Sequence, residues 1–251
     1  MNTLRSEWIK LSTLNVIKVL LAVAVAFPIV VTALTTILGD GIRNSEDLAD
    51  LISGLMLLSS LLFGVVAAIG MTNEFNYNTI RPTFAAQPVR IKQLLGKLTV
   101  HLGVTVVLTT LVLGASWIGG SVIVGDEGQF PFWDTFGIPI KEAMLGTGLL
   151  AVGLTMLGFG LGLLIRNTPA TVSFLLLWPL LGESIIRGLF SALDHEEWAK
   201  YLPYFEGLNM GFVDRGDDTD VMSRFNGGAY FFTWVIVITI FGLIRTERSD
   251  A

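Results

Sequence analysis

The chain has 251 residues, of which 52% are hydrophobic and 15% charged, with a formal net charge of −5 at pH 7. So few charged groups cannot clothe a water-soluble globule of this size, and the acidic balance argues against nucleic acid as a partner. With no cysteine in the sequence, disulfides, thiolate chemistry and cysteine metal ligands are excluded as well.

Residues 2–14 form the first element. Leu4, Trp8 and Leu11 recur at i, i+4 and i+7, one stripe of a 3.6-residue helix, with Arg5, Glu7 and Lys10 on its other faces. The pattern predicts an amphipathic helix lying in the membrane interface with Trp8 at headgroup depth. The alternative is a short extension of the first span. The apolar run that follows is too long for the core of a signal peptide.

Six apolar stretches come next, at 16–38, 51–71, 99–118, 143–165, 170–190 and 229–244. A hydrocarbon layer about 30 Å thick is crossed by roughly 20 helical residues, and these runs meet or approach that length. The expected fold is all-α and integral to the membrane, a single domain of six transmembrane helices. Span six is the shortest and is expected to draw on Gly227 and Gly228 at its outer end.

The connection between spans two and three holds a second polar pattern. Glu74, Tyr77, Asn78 and Arg81 fall at i, i+3, i+4 and i+7, so a short helix there presents hydrogen-bonding groups to one side until Pro82 ends it. Asn73 and Phe75 lie within the same turn. The segment reads as a docking surface; the plainer alternative is a solvated hairpin whose cations only fix topology. Pro88 suits the first turn of a new helix, Val89 to Leu98, that runs on into span three.

Charge sets the orientation, because lysine and arginine flanks are retained in the cytoplasm while acids contribute little. Ten of the sixteen cations, Arg5, Lys10, Lys18, Arg81, Arg90, Lys92, Lys97, Arg166, Arg245 and Arg248, fall on alternate connections with only Glu7, Glu74, Glu247 and Asp250. Both termini are therefore expected inside. The other connections carry the remaining acids, nine of them from Glu183 to Asp220, and face outward.

Ionisable groups within the spans are few and none is central. Lys18 and His101 lie near inner ends, and Glu183 and Arg187, four apart near the outer end of span five, can pair on one helix face. That scarcity disfavours an ion-coupled carrier. In span four, Gly158 and Gly162 form a Gly-x-x-x-Gly pair, which predicts close packing against a neighbouring span of the same subunit.

Three tempting motifs fail. Gly96-Lys97 is followed by Leu98, and Ile91 stands where a phosphate-binding loop needs its first glycine, so the chain carries no ATP site of its own. His195-Glu196 lacks a second histidine at Ala199, and no metal site is supported. Gly114-Ala115-Ser116 begins like a nucleophile elbow, but its closing glycine is one residue late at Gly119 and no histidine lies in an outer-leaflet span.

The opening Leu4-Arg5-Ser6-Glu7-Trp8-Ile9-Lys10-Leu11, the run Asn73-Glu74-Phe75 leading to Asn78-Thr79-Ile80-Arg81, and Pro88-Val89-Arg90 to Leu95-Gly96-Lys97 resemble the permease subunits of ATP-binding-cassette exporters of the type 2 class. With the six-span layout and the long last external connection, the resemblance covers essentially the whole chain. It implies a pair of permeases in a bacterial cell membrane, surrounded by lipids, each resting on a separate nucleotide-binding subunit that holds ATP and Mg. This chain would bind no cofactor and catalyse no covalent step.

The resemblance further implies a cytoplasmic coupling helix from Asn73 to Arg81, including Glu74, Phe75, Tyr77 and Asn78, with Glu74 and Arg81 as contacts to the ATPase. A smaller contact would be the turn at Arg166. It implies short external helices between Glu183 and Asn226, and a pathway built from spans two and five. Ser53, Met56, Ser59, Ser60 and Phe63 of span two, with Phe174 and Trp178 of span five, suit a hydrophobic or amphipathic substrate such as a drug, antibiotic or lipid; ordinary packing explains each of them singly. The alternatives are an ion-coupled secondary transporter and a regulatory membrane protein.

Overall fold

A computed structural model describes residues 8–9, 11, 13–39, 42, 45–77, 90–124, 138–213 and 222–248. The described residues are nearly all helical and contain no strand. In chain order the helices are α1 (Asn15–Leu38), α2 (Ser45–Asn76), α3 (Arg90–Val124), α4 (Ile138–Ile165), α5 (Thr168–Leu177), α6 (Glu183–Ala192), α7 (Pro203–Asn209) and α8 (Arg224–Arg248). Six stretches are long and apolar enough to cross a membrane: α1, α2, α3, α4, the combined stretch Thr168–Ala192, and α8.

The six spans are not equivalent. In their most apolar windows, 67% of α2 and 61% of α4 are buried within the chain, against 22% to 33% for the others. The bundle is therefore built on an α2–α4 pair. α1 and α3 cover one side of it, while α5 and α8 pack against the other. The exposed sides of the outer helices carry Val19, Val23, Val106, Val107, Ile236 and Phe241, as expected of surfaces whose solvent is hydrocarbon.

Small residues permit the central contact. A Cβ on Gly158 would stand 2.8 Å from the carbonyl carbon of Gly64 in α2, and one on Gly160 would stand 2.9 Å from Cα of Thr239 in α8. Two glycines, two residues apart, thus open opposite sides of α4 to two neighbours. Gly162 continues the α2 contact beside Met71 and Ala68, so the Gly-x-x-x-Gly pair packs inside the subunit, as its spacing predicts. Around this seam lie Phe63, Met71, Leu154, Phe159 and Leu163, all essentially inaccessible.

Span five is interrupted by a π turn. Pro179 has no N–H to donate and its ring crowds the carbonyl four residues back, and the helix widens into a π turn over Trp178–Gly182, where the Glu183 N–H reaches back to Trp178 O. Past Ala192 the chain folds back through a 3-10 turn, Glu196–Tyr201, into α7, which rests on α8 and α4.

Carboxylates fasten this cap. Glu183 accepts from the Tyr204 and Phe205 N–H groups at 3.0 and 2.8 Å, completing the start of α7. Buried Glu206 accepts from Met222 N–H at 3.2 Å, and Asp50 accepts from Val213 N–H at 2.7 Å. The expected pairing of Glu183 with Arg187 is therefore not made: Glu183 is spent on α7 backbone donors, and the Arg187 guanidinium lies over the Phe205 ring at 4.3 Å. Burial, and then the Glu183 carboxylate, hold the Tyr204 phenol above its ordinary pKa.

Candidate functional site: a polar platform at one end of the bundle

The end of α2, the turn between α4 and α5, and the end of α8 meet at one end of the bundle. α2 runs without a break through Asn76, so Asn73, Glu74 and Phe75 form its last turn rather than a separate helix. Tyr77 follows, 74% exposed. Asn78, Arg81 and the rest of the expected coupling segment lie outside the described residues.

Two segments far apart in sequence are stitched together here. Asn76 Nδ2 donates to Thr168 Oγ1 at 2.8 Å, and the Thr72 and Thr168 hydroxyls share a hydrogen bond of 2.7 Å. The Arg166 guanidinium lies over the Phe75 ring, 4.8 Å from its centroid. Asn167 accepts from Ala170 N–H at 3.0 Å and so caps α5, with Pro169 in the first turn. The result is one continuous polar surface, with Asn76, Tyr77 and Asn167 exposed on it.

Arg166 holds this corner in a costly conformation. Its φ of 59° is left-handed, which a side chain with a Cβ adopts at a cost of roughly 1 to 2 kcal/mol. Its guanidinium donates to the carbonyls of Leu163 and Arg245, each at 3.3 Å, while Arg245 donates to Leu164 O at 2.7 Å. Each arginine thus satisfies carbonyls at the end of the other's helix, tying α4 to α8. Partial burial, and then the positive charge of Arg245, lower the Arg166 pKa from its usual value.

Glu74 is turned away from the platform. It is 6% exposed, and its carboxylate accepts from Lys97 Nζ of α3 at 2.7 Å, while the same ammonium reaches Gly70 O at 3.2 Å. A carboxylate spent in this way holds α2 to α3 and is not offered at the surface to a partner. The helical spacing that grouped Glu74 with Tyr77 could not show which of them faces α3.

The expected pathway residues do not share a wall. Met56, Ser59, Ser60 and Phe63 are almost fully inaccessible and Ser53 is 5% exposed. The hydroxyls of Ser59 and Ser60 donate to Ala24 O and Met56 O, each at 2.7 Å, and Thr147 donates to Ser53 at 3.0 Å. Phe174 and Trp178 instead stack on each other on the open face of span five, with centroids 5.8 Å apart and 45% and 42% exposure. No group of three or more metal-ligating side chains occurs among the described residues.

Residues 3–182 match the family model described as ABC-2 family transporter protein. No curated protein matches the chain.

Proposed function

The chain belongs to the ABC-2 transporter family and is a membrane-spanning permease, not itself a catalytic component; from that premise we propose that it moves a hydrophobic or amphipathic compound outward across a bacterial cell membrane when a separate ATPase subunit closes on it. The platform at the end of α2 faces the cytoplasm in this reading, as the positive flanks require, and both termini lie on that side. Asn73, Phe75, Tyr77, Asn78, Arg81 and Arg166 receive the ATPase, with ATP and Mg held by that partner. Glu74 acts one step behind them, fixing the end of α2 to α3.

The observation that supports this most is the join between Asn76 and Thr168. A push on the platform reaches α2 and α5 together, and α2 is the most buried span of the bundle. The open stack of Phe174 and Trp178 is assigned to a seam with a second permease, where an apolar solute finds aromatic surface. Ser53, Met56, Ser59, Ser60 and Phe63 reach such a pathway only when α2 separates from its neighbours. The test is Tyr77→Ala combined with Arg81→Ala in the assembled transporter: transport is expected to fall at least tenfold with membrane insertion intact, and unchanged substrate-stimulated ATP hydrolysis contradicts the docking role.

A further inference from the structure

A cavity of about 150 Å³ lies beyond the end of span five, lined by Arg187 and Ser191 of α6, Glu196 and Ala199 of the 3-10 turn, and Phe205 of α7. Glu183, Arg187 and Ser191 recur at i, i+4 and i+8, so one face of α6 is polar and is turned toward α7 and the 3-10 turn. Ile185 and Leu189, on other faces, are 69% and 55% exposed. Because the span Thr168–Ala192 ends here, Arg187 and Ser191 stand where hydrocarbon gives way to head groups.

Opposite charges stand on separate walls of this cavity. Glu183 is committed to the α7 amides, and among the described residues Arg187 makes no ion pair or side-chain hydrogen bond. Its guanidinium rests instead on the Phe205 ring, 4.3 Å from the centroid, which orients it and leaves its N–H donors open. Glu196 is oriented by Ser191, whose hydroxyl donates to Oε1 at 2.6 Å. A carboxylate has about four acceptor sites, so most of its capacity is unused. Arg187, Ser191 and Glu196 are all exposed, hence within reach of a ligand.

We propose that this cavity binds the zwitterionic head of a phospholipid with a primary ammonium group, phosphatidylethanolamine, with its phosphate on Arg187 and its ammonium on Glu196. A simple anion would meet Glu196 and a simple cation would meet Arg187; a zwitterion satisfies both walls. The ammonium is primary because Glu196 accepts N–H groups, which a quaternary head lacks, and because Phe205, the aromatic wall that a quaternary head would seek, already carries Arg187. The volume is below the roughly 300 to 1,000 Å³ of sites that enclose drug-sized ligands, so the cavity takes a head group while the chains stay in the bilayer. Leu189, Leu193 and Trp198, each at least half exposed, give the same hairpin an apolar surface that keeps it at the membrane. This assignment does not depend on the transport reading.

The test is native mass spectrometry of the full chain released from nanodiscs that hold phosphatidylethanolamine and phosphatidylcholine in equal amounts. Retention of phosphatidylethanolamine is expected to exceed that of phosphatidylcholine about tenfold, the worth of one hydrogen bond to a charged group. Glu196→Gln should remove that preference while leaving phosphatidylcholine retention unchanged, whereas Arg187→Gln should lower retention of both lipids. Ser191→Phe, which fills the cavity and leaves both charges in place, should also abolish the preference, and serves if Arg187→Gln does not insert. Equal retention of the two lipids by the unaltered chain, or a preference that survives Glu196→Gln and Ser191→Phe, overturns the proposal. Displacement of the lipid by soluble O-phosphoethanolamine at matched concentration overturns the assignment to a lipid head.

Discussion

Gly158→Ala tests the seam on which the bundle is built. The new methyl group would press hardest on the Gly64 carbonyl oxygen, and would stand 2.8 Å from Gly64 C and 3.0 Å from Gly64 Cα, where nonbonded carbons settle at about 3.5 to 4.0 Å. The obstructing atoms are backbone, so no rotamer change relieves them and α2 and α4 must part by at least roughly 0.7 Å, the shortfall at Gly64 C. Overpacking of this kind costs about 1 to 3 kcal/mol, and a rigid obstacle belongs at the upper end. Gly148→Ala on the same helix is the control, because its nearest neighbour is the Thr109 methyl at 3.8 Å. Both changes gain the same helix propensity, about 1 kcal/mol, so their difference isolates the contact. At roughly 2 to 4 °C per kcal/mol for a chain of this size, Gly158→Ala should melt about 6 to 12 °C below Gly148→Ala. Thermal unfolding in detergent, followed by the fluorescence of the six tryptophans, reads the difference. Equal midpoints for the two variants refute the close approach of α2 and α4.

Lys97→Met removes the ammonium that lies 2.7 Å from the buried Glu74 carboxylate and is expected to cost about 3 to 5 kcal/mol, whereas adding Glu74→Leu should recover most of the loss; a double variant no more stable than the single one means the pair is not buried as described. Glu183→Ala removes the acceptor for two α7 amides, a loss of about 1.5 to 3 kcal/mol per hydrogen bond to a charged group, and hydrogen exchange at Tyr204 and Phe205 should accelerate while α2 stays protected. Asn167→Ala removes the cap of α5 at a cost of about 1 kcal/mol; in the same unfolding assay an unchanged midpoint would show that the cap contributes nothing.

The spans were legible because apolar length is a direct signal: all six expected stretches lie within helices, and the structure mainly extends them, as from 51–71 to Ser45–Asn76. Gly158 and Gly162 also announced a close contact, since only a missing side chain permits one. Facing was harder to read. Ser53, Ser59 and Ser60 look like pathway hydroxyls in a list of residues, yet each is absorbed by a carbonyl or hydroxyl of its own or a neighbouring helix. Glu74 belonged by spacing to an exposed face, but the Lys97 ammonium draws it inward, and their separation of 23 residues hides the pair from any helical period. The Glu183 contact with α7 was equally remote, because it joins residues 21 apart and depends on the return of the chain after Ala192.

The proposed dependence of this permease on a separate ATPase is tested most directly by purifying the chain in mild detergent, identifying what accompanies it by mass spectrometry, and reconstituting it with and without that companion. An ATP-hydrolysing subunit should copurify, and uphill movement of an amphipathic reporter should require both that subunit and ATP. Uphill transport by the chain alone, driven by an ion gradient with no nucleotide-hydrolysing companion present, would contradict the account.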